Sequence, residues 1–193
     1  FLANSYNALR DPRQVNLRHE AAWFSEFLLA NLLAPVGAGT LSQNVSQGEY
    51  SKLFERDRFG VVSDTLWTSN GDWLESGTQF GRSGNFEYAL DALYRSEVGQ
   101  RPNDDLEQLT LSFAGKAQLG LADTVFLQGI YYDADSGDVA QHYDPAMANP
   151  GLRLHETHEP IVLAGWHHEW KPGAHTLLVV SPWNVHGTVT DPN

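Results

Sequence analysis

Apolar and polar residues alternate along two neighbouring segments of this chain, Phe86–Glu97 and Leu106–Leu119, with almost no error. A period of two predicts extended strands that carry one apolar and one polar face. Strands of about ten residues form antiparallel sheets, and this length also crosses a membrane when the strand is tilted. The alternation therefore favours the wall of a β-barrel over a catalytic domain. The apolar positions are Phe86, Tyr88, Leu90, Ala92 and Tyr94 in the first segment and Leu109, Leu111, Phe113, Ala117 and Leu119 in the second.

The same patterning, together with the turn residues between segments, predicts seven strands. Asn70–Asp72, Ser83–Asn85 and Lys171–Gly173 are rich in residues that tolerate positive φ or reverse the chain tightly. The predicted fold is all-β, an antiparallel up-and-down meander that forms part of a transmembrane β-barrel and follows one N-terminal helix. The predicted strands are Phe59–Thr68, Trp73–Gly81, Phe86–Glu97, Leu106–Gln118, Thr124–Asp133, Pro160–Trp170 and His175–Ser181.

Short and long connections alternate along the predicted meander. Arg82–Asn85, Leu119–Asp123 and Lys171–Ala174 are short, whereas Val98–Asp105 and Asp133–Glu159 are long. Outer-membrane barrels show this asymmetry because one end carries tight periplasmic turns and the other end carries outer loops. The turn Asn70–Asp72 falls on the predicted outer side and is short, so the alternation is imperfect. The other connection lengths favour a membrane barrel.

An N-terminal segment has the residue spacing of an amphipathic helix. Asn16 is a suitable cap, Leu17–Leu33 carries the apolar stripe, and Pro35 with Gly37 would end the helix. We expect this helix to pack on the β unit or to insert beside it. A membrane-surface helix is the alternative, but the polar face lacks the Lys and Arg residues that such helices favour.

Composition narrows the function classes. The 193 residues carry a formal net charge of −12, which argues against a nucleic-acid partner because such proteins present a basic face. The chain has no cysteine, which excludes disulfides and thiolate chemistry and suits an exported bacterial protein. The most apolar run, Ala21–Val36, is shorter than the roughly 20 residues of a membrane-spanning helix. The expected domains are a helix and connector, residues 1–56, and a barrel segment, residues 57–193, of a longer chain.

If the strands form a barrel, their polar faces line the lumen and their apolar faces meet lipid. Charge in the lumen tunes which solutes pass, and the mixed signs here argue against a strongly selective filter. Aromatic residues near strand ends are expected at the two membrane interfaces. The predicted pore-lining residues are Glu87, Asp91, Arg95, Gln108, Thr110, Ser112 and Lys116, and the predicted interface aromatics are Trp67, Trp73, Tyr94, Tyr131, Trp166 and Trp170.

Several stretches of the chain resemble one protein family. They are Leu106–Phe113, Asp123–Asp133 with Ser136–Asp138 and Tyr143–Pro145, and Glu159–Gly173. The stretches Glu49–Asp57 and Asn70–Trp73 are also similar to this family. Their residues resemble the porin-like outer-membrane β-barrel region of bacterial tetratricopeptide-repeat surface proteins. The resemblance implies an outer-membrane location, an antiparallel barrel and no known chemistry. The chain departs from the family pattern because it lacks recognisable helical repeats and has fewer predicted strands than a closed barrel needs.

No residue cluster in the sequence predicts catalysis, a cofactor or a metal site. His155–His158 is one residue short of the H-E-x-x-H metal motif and lies in a predicted loop before Pro160. His167 and His168 are adjacent on a predicted strand, so they point to opposite faces. Asp133–Asp138 misses the spacing of a calcium loop, and an acidic, solvated outer loop is expected there. We therefore expect that the chain is not an enzyme.

Two functions stay open at this point. The first is a fragment of a bacterial outer-membrane β-barrel that acts as a passive pore or membrane anchor. Its partners would be outer-membrane lipid, with small solutes or polysaccharide as further candidates. The second is a soluble β-sandwich module that binds carbohydrate through exposed aromatics such as Trp67, Trp73 and Trp183. The direction of the apolar face separates the two, because a membrane barrel points it outward and a soluble module buries it.

Overall fold

The described part of the chain is almost entirely β-sheet. A computed structural model describes residues 26–38, 41–42, 56–139, 146, 148–182 and 185–191. The predicted cap Asn16, the predicted helix start at Leu17 and Trp183 lie outside the described residues. The elements are α1 (Glu26–Leu33), β1 (Arg58–Trp67), β2 (Trp73–Ser83), β3 (Phe86–Glu97), β4 (Leu106–Gln118), β5 (Asp123–Ser136), β6 (Arg153–Lys171), β7 (Ala174–Val180) and β8 (Val185–Thr190).

The eight strands of the described residues form one antiparallel sheet that follows α1, which confirms the predicted all-β meander after an N-terminal helix. The strand order is β1-β2-β3-β4-β5-β6-β7, and β8 also pairs with β6. Three of the turns use a glycine with positive φ: Gly71 (97°), Gly84 (55°) and Gly173 (80°). Because β1 and β7 lie at opposite ends of the strand order, the described strands do not close into a barrel.

The last third of the sheet differs from the prediction. β6 has 19 residues and begins at Arg153, where the sequence predicted a loop as far as Glu159. Pro160 does not end the strand, because the pairing with β5 shifts register between Ile130 and Tyr132 and leaves the proline at a bulge. A missing N–H is tolerated at such a position. The long β6 pairs with β7 along one half and with β8, an unpredicted strand, along the other.

The two ends of the sheet carry different connections. The short-turn end has turns at residues 84–85, 119–122 and 172–173. The long-loop end has the long connections at residues 98–105 and 137–152 and also the short turn at residues 68–72. Short and long joins therefore alternate from β2 to β7, and the short β1–β2 turn is the exception that the sequence also shows. The long join 137–152 is shorter than expected because β5 and β6 extend into it.

Asn103 ties together the two connections at the long-loop end. It has a positive φ of 57°, and its side-chain Nδ2 donates to the carbonyl oxygens of Asn149 and Leu152, each at 2.8 Å. The backbone N–H of Asn149 in turn donates to the Asp138 carboxylate at 2.9 Å. These bonds hold the connection after β5 against the connection after β3.

One face of the sheet, here named the covered face, packs against α1, and the opposite face is named the open face. Leu32 of α1 and Leu41, which follows the helix, are fully buried against the covered face. They complete a small apolar core with Phe80, Ala89, Ala114, Phe126 and Leu163. On β3, the covered face holds Glu87, Ala89, Asp91, Leu93 and Arg95, and the open face holds Phe86, Tyr88, Leu90, Ala92 and Tyr94.

Candidate functional site

The seven predicted pore-lining residues all lie on the covered face of β3 and β4. The antiparallel register sets Glu87 opposite Lys116 and Asp91 opposite Ser112. One face therefore carries both members of each pair, as strict alternation requires. Gln108 and Thr110 are half-buried, and the exposed fractions of the others are Glu87 0%, Lys116 1%, Asp91 7%, Arg95 7% and Ser112 9%. Their role in lining a pore stays a prediction.

Asp91 is the centre of a buried hydroxyl cluster. Its Oδ1 accepts hydrogen bonds from Ser42 Oγ at 2.6 Å and from Thr78 Oγ1 at 2.7 Å, and its Oδ2 accepts one from Ser112 Oγ at 3.2 Å. The three donors come from the segment after α1, from β2 and from β4. A buried carboxylate needs such donors, because an unbonded buried charge is strongly unfavourable. Asp91 thus links the covering segment to two strands.

Glu87 and Lys116 lie beneath the turn that ends α1. Glu87 Oε2 accepts a hydrogen bond from the backbone N–H of Gly37 at 2.6 Å, and Lys116 Nζ donates to the carbonyl oxygen of Pro35 at 3.4 Å. Glu87 Oε1 is buried and has no hydrogen-bond partner among the described residues. The covering segment therefore contacts both charged groups through its backbone and leaves one carboxylate oxygen unsatisfied.

Towards the long-loop end, the covered face opens into a cleft of about 500 Å³. Arg95 lines it and forms an ion pair with Glu97, and Gln108 Nε2 donates to Thr110 Oγ1 at 3.2 Å. The cleft also contains Leu66, Leu74, Leu93 and Ser76. This part of the face mixes apolar and charged groups and includes two of the predicted pore-lining residues, Arg95 and Gln108.

The open face presents apolar side chains to the outside across the sheet. One row in the strand register runs Val61, Gln79, Leu90, Phe113, Gly129 and Val162. Gln79 is the polar member of this row, and its Nε2 is hydrogen-bonded to the Tyr88 hydroxyl at 2.7 Å. The exposed fractions of the large aliphatic residues on this face include Val61 72%, Leu90 45%, Leu111 43%, Leu127 45%, Val162 42% and Val180 61%.

The predicted interface aromatics sit on the open face, near the strand ends. At the long-loop side, Trp67 and Trp73 are register partners, and the hydroxyls of Tyr94 and Tyr131 donate to carboxylates at 3.0 and 3.1 Å. At the short-turn end, Trp166 and Trp170 lie on the same side of β6. Trp166 Nε1 donates to Asp123 Oδ1 at 3.1 Å, and Trp170 Nε1 donates to Thr176 Oγ1 at 3.0 Å. The rings of both tyrosines, Trp166 and Trp170 thus combine an apolar body with a bonded polar group. The membrane-interface role of the six aromatics stays a prediction.

The histidines and acidic residues do not converge on a metal site. Within the described ranges, no group of three or more His, Asp or Glu residues is arranged to hold an ion. His167 and His168 have separate partners: His167 Nε2 lies 3.0 Å from His175 Nδ1, and His168 Nδ1 lies 2.8 Å from Asp123 Oδ1. The predicted loop position of His155–His158 is wrong, because the backbone of these residues belongs to β6.

Two groups that complete the Asp91 cluster, Thr78 and Ser42, were not among the residues predicted from the sequence. They lie 13 and 49 residues from Asp91 along the chain. Thr78 could have been found from the strand register, which pairs it with Asp91 once β2 and β3 are aligned through their turn. Ser42 had no comparable signal, since its position depends on how the segment after α1 crosses the sheet.

Comparison of the chain with protein-family models, with curated proteins and with solved structures gave no match. In the described residues, no helix is both long enough and apolar enough to cross a membrane. Function is therefore inferred from the sequence and from the geometry of the two faces.

Proposed function

We propose that the chain is a segment of a bacterial outer-membrane β-barrel that acts as a passive pore or membrane anchor, without catalytic chemistry. The observation that carries this proposal is the inverted sidedness of the sheet. Leu90 and Leu111 are more than 40% exposed, whereas the charged groups of Glu87 and Lys116 are buried. A sheet that meets water on one face directs its apolar side inward and its polar side outward. The opposite arrangement is favourable when the apolar face meets acyl chains.

Strand length and aromatic placement support the same proposal. β2, β3, β4 and β5 contain 11, 12, 13 and 14 residues. A strand that crosses a bilayer at a tilt needs about 9–11 residues. Tryptophan and tyrosine residues lie towards both ends of the open face, and amphipathic rings at such positions meet lipid headgroups in a membrane barrel. The resemblance to porin-like regions of tetratricopeptide-repeat proteins agrees with this interpretation.

A carbohydrate-binding module is the second candidate, and the pairing of Trp67 with Trp73 favours it. The two indoles are register partners at one sheet end and are 64% and 42% exposed. Exposed neighbouring rings of this kind can stack on sugars. Binding to polysaccharide that is lost in Trp67→Ala and Trp73→Ala, but kept in the control Trp170→Ala at the other end of the sheet, where the indole is 69% exposed, would support this candidate.

Fractionation of bacterial cells that produce the full-length protein tests the membrane proposal. We expect the protein to stay with outer membranes after alkaline carbonate washing and to be released by detergent. We also expect faster migration on a denaturing gel before boiling than after it, since folded barrels resist the denaturant at low temperature. Release by carbonate alone would contradict the proposal.

A further inference from the structure

We propose that α1 and the described residues that follow it, 34–38 and 41–42, form a plug on the lumen side of the sheet, and that the pore conducts when this plug leaves the covered face. The inference rests on the proposed membrane function and adds regulation to it. Its basis is that the segment covers the same polar side chains that would line the lumen.

Apolar contacts position the plug. Leu32 and Leu41 are fully buried, and Leu32 packs on the sheet where Gly165 leaves room for it. A Cβ at position 165 would lie 2.6 Å from Leu32 Cδ2, so a larger side chain there and the seated helix would compete for one space. The next helix residue, Leu33, is 46% exposed and contributes little to this contact. The plug is therefore held by a small number of apolar groups.

Hydrogen bonds to charged side chains of the covered face also hold the plug. Gly37 N–H and the Pro35 carbonyl bond to Glu87 and Lys116, and Ser42 bonds to Asp91. Each of these bonds joins the plug to a side chain from the predicted pore-lining set. The seated plug therefore occludes this part of the lumen and replaces the water that would otherwise solvate its charges.

The covered face is suited to release as well as to binding. Seating the plug buries two carboxylates and an ammonium group, and one oxygen of Glu87 is left without a partner among the described residues. Burial of charge is unfavourable, and much of this cost is recovered when water returns to the face. A purely apolar face would have no such compensation. The charged side chains beneath the plug therefore lower the free-energy difference between the bound and the released plug.

Conductance of the full-length protein in planar bilayers tests the proposal. The variants are Gly165→Leu, which occupies the space of Leu32, and Leu32→Ala, which removes the contact without adding bulk to the sheet. We expect each variant to raise the mean conductance per inserted channel by at least about tenfold over the unmodified protein. Loss of a buried leucine contact shifts the equilibrium between bound and released plug by at least about this factor.

Two matched controls should behave like the unmodified protein. Gly129→Leu places the same side chain on the open face, where a Cβ at position 129 meets nothing within 4 Å. Leu33→Ala makes the same deletion on the exposed side of α1. Conductance that stays unchanged in Gly165→Leu and Leu32→Ala, in channels that insert and show heat-modifiable migration, would overturn the plug and leave the membrane proposal intact. Failure of the unmodified protein to enter membranes would instead overturn the membrane proposal.

Discussion

Glu87 and Lys116 are cross-strand partners on β3 and β4, and their side chains are buried beneath the turn that follows α1, with exposed fractions of 0% and 1%. Their opposite charges attract each other across the ladder. These two side chains are the most deeply buried charged groups in the described sheet. The free energy of unfolding therefore depends on whether each charge keeps its opposite partner.

Removing one charge of this pair should destabilise the fold more than removing both. Lys116→Met leaves the Glu87 carboxylate buried without its counter-charge and should cost about 3 kcal/mol of unfolding free energy, as should Glu87→Gln for the ammonium group. The double variant should return to within about 1 kcal/mol of the unmodified protein, because no buried charge remains uncompensated. Urea unfolding of the protein folded in detergent, followed by tryptophan fluorescence, measures these values. Additive losses in the double variant would show that the two charges do not interact.

Charge reversal on the covered face should change ion selectivity if this face lines a lumen. Asp91→Arg should shift the reversal potential in a salt gradient towards anion preference, and Arg95→Asp should shift it towards cation preference. Glu107→Arg on the open face is the control, because that side chain is directed away from the lumen. If the two covered-face variants have the same conductance and ion selectivity as the control and the unmodified protein, the covered face does not line a lumen.

The strands that were predicted best are those whose pattern is complete within their own sequence. β3 and β4 alternate over 12 and 13 residues, so their bounds follow from local order. β6 does not, because Pro160 is accommodated by a bulge that depends on pairing with β5. β8 has six residues and carries a glycine, Gly187, between its two valines, so its apolar positions form only a weak pattern.

The candidate site could be predicted in part for a similar reason. The face shared by Glu87, Asp91 and Lys116 follows from a period of two. The position of α1 over this face does not follow from the sequence, because the helix pattern indicates an apolar stripe without indicating which surface it contacts. Contacts such as Gly37 with Glu87 join positions 50 residues apart, and they are set by tertiary packing.

Asn103 should control the order of the long-loop end. Asn103→Gly keeps access to the positive φ but removes the two hydrogen bonds to Asn149 and Leu152, whereas Asn103→Ala also adds backbone strain. We expect protease cleavage in these connections to rise severalfold in the glycine variant and further in the alanine variant. Cleavage is measured on gels after brief digestion of whole cells. Cleavage of Asn103→Gly at the unmodified rate would show that the hydrogen bonds do not hold the loops.

Two leucine-to-arginine substitutions distinguish lipid from water at the open face. The side chains of Leu127 and Leu119 are 45% and 69% exposed. Leu127 lies within β5 on the open face, whereas Leu119 lies in the turn at the short-turn end. In a bilayer, an arginine near mid-strand costs about 2–4 kcal/mol and one near the interface costs about 0–1 kcal/mol. Leu127→Arg should therefore lower the folded fraction in lipid vesicles, read from heat-modifiable migration, while Leu119→Arg should not. In a water-exposed sheet both substitutions would be tolerated, so equal folding of the two variants would contradict contact between this face and lipid.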